Sequence, residues 1–247
     1  MDYPMDWGRR NLLRVAGLAG LVVMTGAVFD EVGAKPPKET GLSFEGLLKG
    51  QPGFQPRTIA PPPYAETRGF LSTDQTTRNY AVYREAFTQL VAADKALASA
   101  PRDAAHARDY AALRRRQVQA GNSVLLHEFY FRNLAPALVP PPSYITANII
   151  EHMGAFDDWR EDFIACARIA DEWAALVYDP YDDRWHNVAV GDADAGGWVG
   201  ANPLLVCDVA DHAWSLDYKD RDSYVARFLA HIDWNVVAAR YHAVDRQ

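Results

Sequence analysis

The sequence predicts an α+β fold: a long helical hairpin, then a C-terminal α/β domain with a small three-stranded antiparallel sheet. Three observations predict it. Apolar residues recur at helical spacing through two long stretches between about residues 72 and 134. Pro140-Pro141-Pro142 then marks a boundary, because proline ends helices and forces extended backbone on the residue before it. Beyond it, short strand-like runs at Trp173–Tyr178, Asn187–Val190 and Leu204–Asp208 are set among turn residues and helical patterns.

Residues 1–34 read as an export segment rather than as part of the fold. Gly8-Arg9-Arg10-Asn11-Leu12-Leu13-Arg14 precedes an apolar stretch from Val15 to Phe29. A twin arginine before a short Gly/Ala-rich apolar run is the pattern of a twin-arginine signal. The run is shorter than the roughly 20 residues a spanning helix needs. Cleavage after Ala34 or Ala27 fits small-residue processing, with an uncleaved membrane anchor as the alternative. The expected partner is the twin-arginine export machinery, and the expected location is periplasmic or secreted.

Residues 35–63 are rich in Pro and Gly and end in Pro61-Pro62-Pro63, which reads as a linker or arm. The helical-hairpin domain follows at 64–139. Ser72 or Thr73 is placed to cap a first helix running to about Ala98, with Tyr80, Tyr83, Phe87, Leu90 and Val91 on one side. Pro101 breaks it. A second helix is expected from about Ala104 to Leu134. The C-terminal domain takes 140–247, with helices at Ile145–Met153, Phe156–Ala170, Asp222–Leu229 and Trp234–His242. Asp179-Pro180-Tyr181-Asp182-Asp183 reads as a solvated hairpin turn, with calcium binding as the alternative.

The net charge of −7 supplies no basic face and argues against a nucleic-acid partner. The one basic run, Arg114-Arg115-Arg116, reads as a solvated helix face. Cys166 and Cys207 both sit in apolar stretches and read as small core residues, with a disulfide between them as the alternative.

The stretch with chemical content is Leu204-Leu205-Val206-Cys207-Asp208-Val209-Ala210-Asp211-His212. It puts a carboxylate and an imidazole four residues apart after an apolar run. Such a pair can converge on one metal ion. The stretch resembles the Asp-Val-Trp-Glu-His-Ala-Tyr-Tyr signature of the iron/manganese superoxide dismutases. His127-Glu128-Phe129-Tyr130-Phe131-Arg132-Asn133-Leu134 is similar to that family's His-x-Phe-Tyr-Trp-x-x-Leu. Glu172-Trp173-Ala174-Ala175-Leu176-Val177 resembles its Gly-Trp-Ala-Trp-Leu-Val, and Ile232-Asp233-Trp234-Asn235-Val236-Val237-Ala238-Ala239-Arg240-Tyr241 its C-terminal helix. The order and spacing of these segments extend the resemblance over about residues 61–245.

The resemblance implies a mononuclear iron or manganese site with His127, Asp208 and His212 as ligands. The fourth ligand, a histidine in the family, falls on Asn79, which implies a carbonyl donor or an open position. The family's channel tyrosine falls on Phe87, and its outer-sphere glutamine is not found; one of its usual origins falls on Ser123. Tyr80 and Tyr83 are the hydroxyl-bearing candidates to take over hydrogen bonding around the metal. The resemblance also implies a homodimer, with an interface altered at Asp211, Ser215 and Tyr83. Two functions follow as expectations. One is a dismutase-type oxidoreductase acting on superoxide. The other is a non-catalytic relative that keeps the fold for binding or assembly.

Overall fold

The computed structural model describes residues 58–191 and 197–244. The expected export segment, 1–34, and the arm up to residue 57 lie outside the described residues.

Helix α1 (Thr73–Ser99) starts where Ser72 accepts a hydrogen bond from the Gln75 backbone N–H at 3.1 Å. It ends two residues before Pro101, as the proline demands. The second long helix begins later than its apolar pattern implies. Asp103 accepts from the N–H groups of Ala105 and His106, which tightens Ala104–His106 into a 3₁₀ turn before α2 (Ala107–Arg132) takes over. Paired contacts at Tyr83–Glu128, Leu90–Gly121 and Asp94–Gln117 make the two helices antiparallel. At Gly121 an added Cβ would already touch the Leu90 side chain at 3.8 Å, so the helices approach closely there.

The C-terminal part carries α3 (Ser143–Met153), α4 (Phe156–Ile169), β1 (Trp173–Asp179), β2 (Arg184–Val190), β3 (Asn202–Asp208), a short α5 (Asp211–Trp214), α6 (Arg221–Leu229) and α7 (Trp234–Val244). The strands form one antiparallel sheet in the order β2-β1-β3. All seven residues of β1 are buried, as suits a central strand covered on both faces. The three-stranded α+β architecture is the expected one. The second strand is longer than expected, because Arg184, Trp185 and His186 continue the pairing with β1.

The hairpin turn differs from its expectation in one respect. Asp179 is not solvated: it is 4% exposed and accepts from the Tyr181 N–H at 2.9 Å, which closes the turn. Asp183 beyond it adopts a positive φ of 58°.

A buried polar knot joins the helical hairpin to the sheet. Arg240 on α7 donates to the carbonyls of Leu204 and Phe129 and to Asn133 Oδ1, and lies over the Phe129 ring. Asn133 Oδ1 also accepts from the Val206 N–H on β3. Burial pulls the Arg240 pKa down to about 9, which still leaves it a cation at neutral pH. This knot fixes β3, and hence Asp208 at its end, against α2. Both cysteines are free thiols: Cys207 is buried, while Cys166 is half-buried at the surface of α4 rather than in the core. Arg114, Arg115 and Arg116 are exposed on α2 as expected. Among the described residues no helix is long and apolar enough to cross a membrane.

Candidate metal centre

Asp208 is the last residue of β3 and is fully buried. Its Oδ1 accepts from the Ala210 N–H at 3.2 Å, which turns the chain into α5. Val209 donates to the Glu172 carbonyl at 2.8 Å, tying that turn to the start of β1. One turn along, His212 reaches back so that its Nε2 lies 3.1 Å from Asp208 Oδ2.

His127 arrives from α2 and is 1% exposed. Its Nδ1 lies 2.8 Å from the Ser123 carbonyl one turn earlier. A carbonyl only accepts, so Nδ1 carries the proton and Nε2 presents a bare lone pair. That Nε2 lies 3.7 Å from Asp208 Oδ2 and has no hydrogen-bond partner. The Trp173 ring meets the imidazole edge-on at 4.8 Å between centroids and holds its plane. Asn79 arrives from α1, also fully buried. Its Nδ2 donates to Asp208 Oδ2 at 3.1 Å, while its Oδ1 has no partner. The carboxylate accepts only, which fixes the nitrogen side of the amide toward it.

The four residues that the sequence singled out for a metal are therefore together. The ligand atoms of His127, Asp208 and His212 all lie within 4.8 Å of one another. Burial holds the His127 pKa below its ordinary value although the Asp208 charge opposes it, so the imidazole is neutral. At His212 burial works the same way. There the Asp208 charge and hydrogen bond, with Glu172, outweigh it and the pKa is raised. Two features of this cluster fit a cation. A buried carboxylate sits beside the neutral His127 and Asn79 side chains, and two buried lone pairs, His127 Nε2 and Asn79 Oδ1, meet no hydrogen. Two imidazoles, one carboxylate and an amide oxygen suit iron(II) or manganese(II).

The tyrosines are placed differently from the metal set. The Tyr83 ring packs 6.1 Å from His127, but its hydroxyl donates to Glu128 Oε1 at 2.9 Å and accepts from the Ala60 N–H. Tyr80 donates to the Ala60 carbonyl at 2.7 Å. Both hydroxyls are thus spent on Glu128 and on one residue of the arm. Ser215 Oγ accepts from Arg78 Nη1 at 2.9 Å within the chain, and Asp211 is exposed.

Sequence reasoning missed three contributors. Ser123 acts through its carbonyl, and its place four residues before His127 was the available signal. Glu172 biases His212 from across the fold. Gln75, fully buried, donates to the His212 carbonyl and accepts from the Leu216 N–H; nothing in its neighbourhood on α1 announces this. A second group, Asp179, Asp182 and His186, also brings its ligand atoms within 4.8 Å. There His186 pairs with Asp182 at 2.8 Å and Asp179 accepts from the chain, so its members have partners already.

Comparison with known proteins places this geometry. Residues 141–240 match the family model of the C-terminal domain of iron/manganese superoxide dismutases. The chain is 31% identical over 138 residues to superoxide dismutase [Fe] of Cupriavidus metallidurans, covering 54% of this chain and 69% of that protein. It is 36% identical over 123 residues to superoxide dismutase [Mn] 1 of Halobacterium salinarum, covering 49% of this chain and 62% of that one. A second manganese enzyme of the same organism is 38% identical over 121 residues, 48% of this chain and 60% of that protein. The match thus spans about three-fifths of the length of these two archaeal relatives. With the expected α+β architecture and the two-histidine, one-carboxylate cluster at the end of its sheet, the chain belongs to the iron/manganese superoxide dismutase family.

Proposed function

We propose that this chain is an exported oxidoreductase of superoxide dismutase type that holds one iron or manganese ion through His127, Asp208 and His212. The observation that carries the reading is the bare, buried Nε2 of His127 facing the Asp208 carboxylate and His212. Iron or manganese is the metal of the family, and the printed names of the relatives carry both.

Held by His127, Asp208 and His212, iron or manganese would supply one-electron redox chemistry, by which two superoxide ions and two protons become oxygen and hydrogen peroxide. The chain's own residues do the rest. The Ser123 carbonyl holds the His127 proton at Nδ1 and so keeps Nε2 as donor. Asp208 supplies the negative charge of the cluster, held in place by the Asn79 amide and the Ala210 N–H. Trp173, Tyr83 and Phe131 close apolar walls around His127 and exclude water on that side. The His212 side chain, 22% exposed, faces the more open side. Protons reach the pocket from there, because Phe87 lacks a hydroxyl and those of Tyr80 and Tyr83 are committed elsewhere.

Export through the twin-arginine machinery is supported by Arg9-Arg10 ahead of the apolar run from Val15 to Phe29. A homodimer through Asp211, Ser215 and Tyr83 is the assembly that family membership favours. It would have to form beside hydroxyls already bonded within the chain.

A second reading keeps the metal but not turnover. It is favoured by Asn79, an amide that spends its N–H on Asp208 in the position of the expected fourth ligand. Metal analysis of protein purified without added metal, followed by a superoxide assay, separates the readings. Near-stoichiometric iron or manganese with dismutation that is lost in Asp208→Asn establishes the enzyme. Metal without dismutation leaves a binding protein, and a folded chain without metal overturns the site.

A further inference from the structure

We infer that Gln75 is a positioning residue for the metal centre: its side chain clamps the turn that carries His212 onto α1. The inference rests on the reading of His212 as a metal ligand and deepens it. Gln75 is 0% exposed and lies one helical turn before Asn79. Its Nε2 donates to the backbone carbonyl of His212 itself at 2.6 Å, and its Oε1 accepts from the Leu216 N–H at 2.8 Å. Both ends of one amide therefore hold both ends of the same turn, which spans α5 and the residue after its cap.

The turn has need of such a clamp. Helix α5 is only four residues long and has no side-chain cap, so its backbone groups are weakly satisfied from within. A fourth protein ligand on α1 would tie this turn to the first helix through the metal. Here the residue at that place is Asn79, whose amide is bound to Asp208. Gln75 supplies the tie by hydrogen bonds instead. Two outer contacts lie on the same seam: Ser72 N–H to Asp217 Oδ2 at 2.5 Å and Arg78 to Ser215. Both are exposed and hold the turn's far end, whereas Gln75 acts on the ligand residue.

The test compares Gln75→Met, which keeps the bulk and loses both hydrogen bonds, with Ser215→Ala, which removes an outer contact of the seam and leaves the Arg78 charge beside His212 in place. Manganese(II) affinity is read by competition with a fluorescent chelator, the ligand field by the manganese(II) EPR spectrum of the saturated protein, and folding by thermal melting. Gln75→Met is expected to weaken manganese binding by about 10–100-fold, the usual effect of losing an outer contact to a ligand, and to change the EPR spectrum. Ser215→Ala should leave both as in the parent protein. If Gln75→Met does not fold, Gln75→Glu, which keeps the acceptor for Leu216 and loses the donor to His212, carries the same expectation. Parental affinity and spectrum in a folded Gln75 variant overturn the inference. A parent protein that takes up neither manganese(II) nor iron(II) overturns the metal reading itself, and this inference with it.

Discussion

Two buried polar clusters meet β3, one along it and one at its end, and they are built on opposite plans. The knot around Arg240 brings its own cation: the guanidinium donates to Leu204, Phe129 and Asn133, and the polar atom left over is an N–H of Asn133. The cluster around Asp208 brings a carboxylate and no fixed cation, and its leftover atoms are lone pairs on His127 and Asn79. Burying polar groups without partners costs free energy in either place. The sign of what is missing differs. A cluster lacking hydrogens around a carboxylate is completed by a positive ion, and one already holding arginine is complete as structure. The same element thus has a structural knot behind it and a chemical pocket at its end.

The largest way to break this contrast is Arg240→Met. Removing the cation strands the carbonyls of Leu204 and Phe129 in the interior, and the expected loss is about 3 kcal/mol or more in denaturant unfolding. Asp208→Asn should do the reverse. It keeps an acceptor for Ala210 and removes a buried charge, so unfolding free energy without metal changes by less than about 1 kcal/mol. Metal per chain, read by elemental analysis, should fall at least tenfold. A large stability loss in Asp208→Asn with metal retained would contradict the division of roles.

Asn79→His sharpens the comparison from the other side. An imidazole in place of the amide adds a third nitrogen ligand, the fourth in all, from α1, and manganese affinity should tighten by about tenfold in chelator competition. No gain would mean the α1 position faces away from the ion. The smallest effect is expected at Asp220, exposed at the start of α6, where the Ser223 hydroxyl and then its N–H hold its carboxyl below the usual value. A depressed folded pKa contributes stability above the unfolded value of 3.8 and loses it as pH falls through the folded one. Asp220→Ala should therefore melt slightly lower at pH 7, and the gap should close on acidification below about pH 4.

What was legible in the sequence was what is local. Asp208 and His212 are four residues apart, and His127 sits in a helix whose apolar face is plain, so the candidate cluster and the helices could be read directly. The start of α2 moved by three residues because Asp103 offered the chain a tighter first turn. Asp179 looked like a solvated turn residue because its company is acidic; its burial depends on how the hairpin packs. Gln75, the Ser123 carbonyl and Arg240 act through backbone groups that carry no side-chain signature, mostly over long separations. Tyr80 and Tyr83 point their hydroxyls at Ala60 and Glu128, a choice made by the arm rather than by α1.

Cys207 stands next to Asp208 in the chain, wholly enclosed, and burial together with the Asp208 charge pushes its thiol pKa far up. Thiolates, not thiols, attack peroxides and are oxidised by them. A pocket that generates hydrogen peroxide one residue away would inactivate itself at an ionised sulfur. Here the Asp208 charge that would favour a metal also keeps its sulfur neighbour protonated, so a dismutating centre at this place would carry built-in resistance to its own product.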